Sequence, residues 1–189
     1  MVNAMLQPVL AGHGLILRPL AAADWPALFA VASDPAIWAG HPAHDRWQEA
    51  VFRIFFDANL ASGGALVAID AATGAIIGHT RFDRERVNID EMEVGWTFLA
   101  CSHWGGPTNA IMKALMIGHA LTWCDCVLFL VGEDNHRSRR AMAKIGGVLT
   151  DREQTIETPM GPVRHVIYTI DAASFAAGPL AALLPAKAG

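Results

Sequence analysis

The sequence has few charged residues and no concentration of positive charge. Of its 189 residues, 17% are charged, and 14 Lys and Arg stand against 18 Asp and Glu, which gives a net charge of −4. No stretch is strongly basic, so the electrostatic footprint of a nucleic-acid-binding protein is missing. Because 53% of the residues are apolar, the chain can build a buried core, and a disordered chain is excluded.

Cysteine is also scarce. The three cysteines, Cys101, Cys124 and Cys126, are an odd number without the spacing of a disulfide framework, which favours a reducing, cytoplasmic location. The segment around Asp125 has no second pair of Cys or His at a suitable spacing, and a structural zinc site needs about four ligands. We therefore expect no metal and interpret the cysteines as small, partly buried residues.

No segment is predicted to direct the chain into or across a membrane. Residues 1–10 have no basic region ahead of an apolar run, so we expect no signal peptide. The long apolar stretch Ala114–Val131 contains His119 and Asp125, and ionisable groups are costly at the centre of a bilayer. We interpret this stretch as a helix followed by a buried strand and expect no membrane partner.

The residue pattern predicts an α/β protein with a mixed sheet. Strands are predicted at Leu15–Leu20, Ala65–Asp70, Ala75–Phe82, Glu91–Leu99, Val127–Val131, Val148–Glu157 and Val163–Ile170. Helices are predicted at Asp24–Ser33, Asp45–Ala61, Asn109–Trp123 and Ser138–Ile145. Asp45 and Gln48 resemble a capping box. The last hairpin is predicted to turn at Pro159–Pro162.

This order of elements implies both kinds of strand pairing. Alternation of strand and helix in the second half requires parallel pairing, and the hairpins require antiparallel pairing. A central mixed sheet flanked by helices follows. The length fits one domain, which we place at residues 1–170, with an Ala- and Pro-rich C-terminal tail at residues 171–189.

A glycine-containing loop joins the predicted strand Glu91–Leu99 to the next helix. Gly105 and Gly106 allow the backbone to approach an anion closely, and the free N–H groups of a helix start point towards such an anion. The pattern fits a phosphate or pyrophosphate site, and it also fits an ordinary tight loop. Neither the three-glycine dinucleotide fingerprint nor a P-loop is present.

Several segments together resemble one protein family. They are Leu17–Leu20, Val94–Leu99, Trp104-Gly-Gly with Asn109 and Lys113, and the pattern Asn135-x-x-Ser138-x-x-Ala141-x-x-Lys144-x-Gly146. In their order and spacing they resemble the GCN5-related N-acetyltransferase (GNAT) superfamily, and in particular its branch of ribosomal-protein N-terminal acetyltransferases. The resemblance covers roughly residues 15–170.

The resemblance implies acetyl-CoA as the cofactor and a sheet whose fourth and fifth strands splay apart. The pantetheine arm would pair with the main chain of the fourth strand, and the pyrophosphate would lie on amides of the loop after it. The residues implied in binding are Thr97, Phe98, Leu99, Trp104, Gly105, Gly106, Thr108, Asn109, Asn135 and Ser138. Arg140, in a basic run at a helix start, would contact a CoA phosphate or lie on a solvated surface.

The reaction implied by the resemblance is direct attack on the thioester by a neutral primary amine of a protein N-terminus or of a small molecule. Glu93 is the candidate general base, and a salt-bridged strand residue is the alternative interpretation. Glu91 shares its face of the strand unless a bulge changes the parity. Ser138 would hydrogen-bond the thiol sulfur, or would simply belong to the start of a helix.

The acceptor pocket is less well defined by the sequence. Trp38, His41 and Trp47 would either form an aromatic wall for the amine or pack helices together. Met142 replaces a tyrosine general acid found in many relatives, and Pro107 removes one N–H from the phosphate loop. These departures keep open an acyl-CoA-binding protein without turnover. A non-enzymatic interaction domain is a further alternative, and the oligomeric state, a homodimer included, stays open.

Overall fold

The computed structural model describes residues 5–158 and 161–184. Its strands are β1 (Leu10–Gly12), β2 (Leu15–Pro19), β3 (Ala65–Asp70), β4 (Ile76–Asp83), β5 (Glu91–Leu99), β6 (Cys126–Gly132), β7 (Val148–Thr158) and β8 (Gly161–Asp171). Its helices include α1 (Trp25–Ala32), α2 (Pro35–Trp38), α3 (Glu49–Ala61), α4 (Thr108–Ala120), α5 (His136–Lys144) and α6 (Ala172–Ala177).

All eight strands belong to one sheet in the order β1-β2-β3-β4-β5-β6-β8-β7. Neighbouring strands are antiparallel, except that β5 and β6 run parallel. The crossover from β5 to β6 contains α4, as a parallel connection requires. The mixed α/β fold predicted from the sequence is therefore confirmed.

Some local predictions differ from the structure. Strand β1 and the single-turn helix α2 were not predicted, because three and four residues are too few for a clear period. The capping box at Asp45 is wrong: Gln48 has an extended conformation and is itself the N-cap of α3, without a side-chain hydrogen bond. Of the predicted turn at Pro159–Pro162, Pro159 and Met160 lie outside the described residues.

The sheet is buried on both faces. On β3, Leu66 and Ala68 pack into the cluster that contains the buried side chains of α4, whereas Ala65 and Val67 pack into the cluster formed with α1, α2 and α3. Alternation along a strand sends these two pairs to opposite faces. Within the described part of the chain, no helix is both long and apolar enough to cross a membrane.

Part of the predicted tail packs against this core. Phe175 on α6 and Leu180 after it are 8% and 2% exposed and join the cluster under α4. A Cβ atom on Gly118 would come within 2.7 Å of the side chain of Leu184, so this segment lies directly on α4. The boundary of the domain at residue 170 stays a prediction.

An ion pair joins β2 to the start of α1. Nη1 and Nη2 of Arg18 each lie 2.7 Å from an oxygen of the Asp24 carboxylate, which also accepts the Ala21 N–H. The Asp24 side chain is 8% exposed. Arg18 therefore connects β2 to the N-cap residue of α1.

We expect Asp24→Asn to lower the free energy of unfolding by about 1–2 kcal/mol near neutral pH, because it removes the charge from this pair. Burial raises the pKa of Asp24, but the hydrogen bonds from Arg18 and Ala21 hold it below its ordinary value of 3.8. The difference should therefore be present above that value and disappear as the pH falls through the lowered pKa. Urea denaturation across this range measures it.

The control for this prediction is Asp57→Asn on α3. Asp57 pairs with Arg53 at 3.2 Å, but both side chains are about half exposed. An exposed pair of this kind contributes roughly 0.3–0.5 kcal/mol. Equal losses in the two variants would contradict the importance assigned to the buried pair.

Candidate active site

The central feature of the site is a gap between β5 and β6. The two strands pair only from Glu91 to Glu93, opposite Cys126 to Leu128. Beyond that point β5 continues along β4 as far as Leu99, and β6 continues along β8 as far as Gly132. The facing edges of β5 and β6 therefore separate, which leaves main-chain groups of β5 without a partner strand.

A β-bulge lies in β5 beside the gap. The register with β4 shifts between His79 and Arg81, and Trp96 has a φ of 51°, which is rare for a large residue. The Trp96 carbonyl accepts a hydrogen bond from Nδ1 of buried His79 at 2.9 Å. The guanidinium groups of Arg81 and Arg86 lie over the Trp96 ring. The bulge follows Glu93, so Glu91 and Glu93 keep the same face.

Glu93 is buried at the point where the strands separate. It is 2% exposed, and burial raises its pKa to about 7, although Arg86 opposes this shift. Arg86 donates to Glu93 Oε1 at 2.8 Å, whereas Oε2 is buried without a hydrogen-bond partner in the described residues. Glu93 can therefore exchange a proton near neutral pH.

Glu91, two residues earlier, has a different environment. Arg152 binds both of its carboxylate oxygens, at 2.6 and 3.1 Å, and this hydrogen bonding lowers the pKa of Glu91. Glu91 therefore stays ionised at neutral pH. Of the two carboxylates on this face, only Glu93 has a pKa suited to accepting a proton near neutrality.

The loop after β5 leads to a helix start that lacks a side-chain cap. Gly105 has a φ of 75°, and the indole N–H of Trp104 donates to the Leu99 carbonyl at 2.9 Å. The N-cap of α4 is Pro107, which has no side chain able to accept a hydrogen bond. In the described structure the N–H groups of residues 108–110 have no acceptor. They are available to an anion, as the helix dipole favours.

The basic run at the start of α5 is partly engaged within the fold. Arg137 donates to the Ile37 carbonyl at 2.8 Å and lies over the Trp104 ring. Arg139 donates to the Glu133 carbonyl at 3.1 Å. Arg140 is exposed. Through Arg137, the run therefore connects α5 to α2 and to the loop before α4, although Arg137, like Arg140, is exposed.

A cleft of about 370 Å³ lies at the carboxyl end of β6. Asn135 and His41, both predicted as site residues, lie on its wall. The other lining residues are Gly40, Pro42, Gly132, Glu133, Asp134, Pro162, Val163 and Arg164. Asn135 also caps α5, since its side chain accepts the Ser138 N–H at 3.1 Å. Ser138 is half-buried at this helix start.

His41 is an uncharged member of this wall. Burial lowers its pKa to about 3, and the charges of Arg46 and Arg137 act in the same direction. The Ala43 N–H lies 2.9 Å from Nδ1, so Nδ1 accepts this hydrogen bond and the ring proton is on Nε2. His41 can therefore serve as a neutral hydrogen-bond donor.

The remaining predicted residues take different positions. Trp38 is 2% exposed, donates its indole N–H to the Ala32 carbonyl at 2.7 Å and packs on Phe98. Trp47 is 41% exposed and does not line the cleft. The side chains of Phe98 and Leu99 are buried in the core. Along β5, it is the main chain that faces the gap.

Three other residues of the site carry no sequence signal of their role. Arg86 pairs with Glu93 from the loop after β4. Arg164 on β8 binds Glu133 at 2.6 Å beside the cleft. Lys113, which the sequence marks only as part of a pattern, is buried beneath the gap. The contacts of Arg164 and Lys113 join residues 31 and 16 positions apart, so they follow from the sheet order and not from local spacing.

The structure therefore combines parted parallel strands, a buried carboxylate where they separate and a helix start whose first N–H groups have no acceptor in the described residues. Residues 14–148 match the family model described as the acetyltransferase (GNAT) domain. The chain therefore belongs to the GNAT acetyltransferase family. Among curated protein sequences, none matches it significantly.

Solved structures share this fold. A GCN5-related N-acetyltransferase from Brucella melitensis is 18% identical with a TM-score of 0.79, over 95% of this chain and 86% of that one. A GNAT-family acetyltransferase from Bacillus anthracis is 17% identical with a TM-score of 0.70, over 86% and 98%. Mycobacterium smegmatis RimJ, solved with CoA-disulfide, is 16% identical with a TM-score of 0.66, over 93% and 91%.

Proposed function

We propose that this protein transfers an acetyl group from acetyl-CoA to a primary amine, on a protein N-terminus or on a small molecule. The observation that supports this most is the separation of β5 from β6 directly beyond buried Glu93. The unpaired edge of β5 fits a pantetheine arm, through the main chain of Thr97–Leu99. The uncapped start of α4 fits a pyrophosphate, with Trp104–Asn109 around it.

Within this proposal, Glu93 prepares the acceptor. Acetyl-CoA, when bound, supplies the acetyl group as a thioester. The free Oε2 of Glu93 accepts a proton from the incoming ammonium, directly or through water, because only a neutral amine has a lone pair for attack. The Ser138 hydroxyl, half-buried at the start of α5, is the candidate donor to the departing sulfur.

The acceptor site of this proposal is the cleft beside β6 and β8. Glu133 and Asp134 on its wall favour a cationic amine before it loses its proton. Arg164 partly neutralises Glu133. Asn135 and the uncharged His41 supply neutral polar groups that can orient the acceptor.

We expect Gly106→Asp to weaken CoA binding by about tenfold or more. A Cβ atom on Gly106 would meet no heavy atom within 4 Å, so the loop can accept the side chain, and its negative charge would repel the pyrophosphate. Isothermal titration calorimetry with CoA measures the change. Gly106→Ala is the matched control and should bind within about twofold of the wild type. Equal binding by the aspartate variant would place the pyrophosphate elsewhere.

The transfer itself is tested by thiol release from acetyl-CoA with a panel of peptides and small amines. Release that depends on an added amine supports the proposal and identifies the acceptor class. Binding of acetyl-CoA without amine-dependent release would instead identify an acyl-CoA-binding protein without turnover. Absence of CoA binding would contradict the proposal altogether.

A further inference from the structure

Lys113 is a buried amine that the proposed reaction does not use. It lies on α4, five residues beyond the first residue of that helix, and is 3% exposed. Its Nζ donates to Oγ1 of Thr97 at 2.7 Å and lies 5.4 Å from the centre of the Phe129 ring. Thr97 is on β5 and Phe129 on β6, both beyond the last paired residues. The amine therefore lies between the two separated strands, on the side of α4.

The described surroundings of this amine contain no counter-charge paired with it. Among the described residues, no carboxylate forms an ion pair with Lys113, and burial alone lowers its pKa to about 7. Thr97 Oγ1 is also 2.9 Å from Thr80 Oγ1. The Thr97 hydroxyl therefore interacts with both Lys113 and Thr80. An amine has at least two N–H donors, and Nζ makes one hydrogen bond. At least one N–H of this amine therefore has no acceptor among the described residues.

We propose that Lys113 is a further acyl-CoA-binding residue, whose amine donates a hydrogen bond to an amide carbonyl of the pantetheine arm from beneath the gap. This inference rests on the proposed function. It assigns two contacts to one helix: the start of α4 faces the pyrophosphate, and Lys113 faces the arm. A buried ionisable group that lies between two separated strands is a candidate functional residue.

The experiment compares two probes by calorimetry. CoA contains the pantetheine arm, whereas adenosine 3′,5′-bisphosphate contains only the nucleotide end. Lys113→Met keeps an unbranched side chain and removes the donor. We expect it to lower the affinity for CoA at least tenfold and to leave the affinity for the bisphosphate within twofold of the wild type. Lys144→Met, which alters an exposed lysine on α5, should bind both probes normally.

The other outcomes are equally informative. Wild-type affinity of the Lys113→Met variant for CoA would overturn the inference while leaving the proposed function intact. An equal loss for both probes would also overturn it, because it would show damage to the loop and helix start. A wild-type protein that binds neither probe would overturn the proposed function, and the inference with it. Thermal unfolding of each variant establishes that it is folded.

Discussion

Replacing Glu93 by glutamine is expected to lower kcat for amine acetylation by roughly 100-fold or more. Glutamine has the same shape and still fills the buried position, but it cannot accept a proton, and a positioned general base contributes about 10²–10⁴ to a rate. The affinity for acetyl-CoA should stay close to that of the wild type, because the main chain of β5 is unchanged. Steady-state kinetics with the best acceptor from the panel measure the effect.

The pH profile separates a general base from a structural carboxylate. Since burial raises the pKa of Glu93 to about 7, wild-type kcat should rise with pH through that value as the carboxylate ionises. The Glu93→Gln variant should lose this rise and keep only the ionisation of the acceptor amine. A structural role would lower the rate without changing the profile.

Glu91→Gln is the matched control, because Glu91 lies on the same strand and the same face. Its carboxylate is bound by Arg152 and has a lowered pKa, so we expect kcat to stay within about twofold of the wild type. If the two variants lose activity equally, the base is not Glu93 alone, and the assignment based on burial is incorrect.

Replacing Lys113 by methionine is expected to raise the free energy of unfolding at pH 7 by roughly 3 kcal/mol. Burial lowers the pKa of this lysine from 10.5 to about 7, and each unit corresponds to about 1.4 kcal/mol. The full shift gives an upper limit of roughly 5 kcal/mol, from which we subtract about 1–2 kcal/mol for the lost hydrogen bond to Thr97. A variant that gains stability and loses CoA affinity is typical of a functional position.

The stability gained by Lys113→Met depends on pH. The unfolded chain binds the proton of Lys113 more tightly than the folded protein, so the wild type gains stability as the pH rises from about 7 towards 10.5. The advantage of Lys113→Met should be full below about pH 7 and vanish near the upper value. Urea denaturation at several pH values tests this. Lys144→Met should change stability by less than about 0.5 kcal/mol at every pH.

The fold was largely predictable because strand and helix periods are local properties. The interiors of β3, β5 and β6 are strongly apolar and were found close to their observed bounds. Short elements were missed for the same reason, since β1 and α2 contain too few residues to show a period. The start of α3 was misplaced because Asp45 and Gln48 resemble a capping box, whereas the helix begins at Glu49 with Gln48 as its N-cap.

The sequence supplied candidate site residues, which remain predictions, but it did not supply their environment. Glu93 was predicted from its place on the fourth strand beside the split that the resemblance implies. Its partner Arg86 and its oxygen without a hydrogen-bond partner in the described residues depend on how β4 returns beside β5. Trp38 shows the reverse: the sequence allowed it either to form part of an aromatic wall for the amine or to pack helices together, and the fold placed it in the core. The solvent exposure of a side chain depends on how the helices pack against the sheet, and not on the residue type alone.

By itself, the sequence determined the class of fold and the family resemblance, and it predicted which strand, loop and helices would bind a cofactor. The period of the hydrophobic residues, the positions of the glycines and the spacing of the motifs are properties of the sequence, so they can be recognised without coordinates. Only the tertiary structure decided how far β5 and β6 stay paired, and which ionisable groups are desolvated by burial. Those outcomes depend on contacts between distant segments, and they turned Glu93 and Lys113 into groups that titrate near neutral pH.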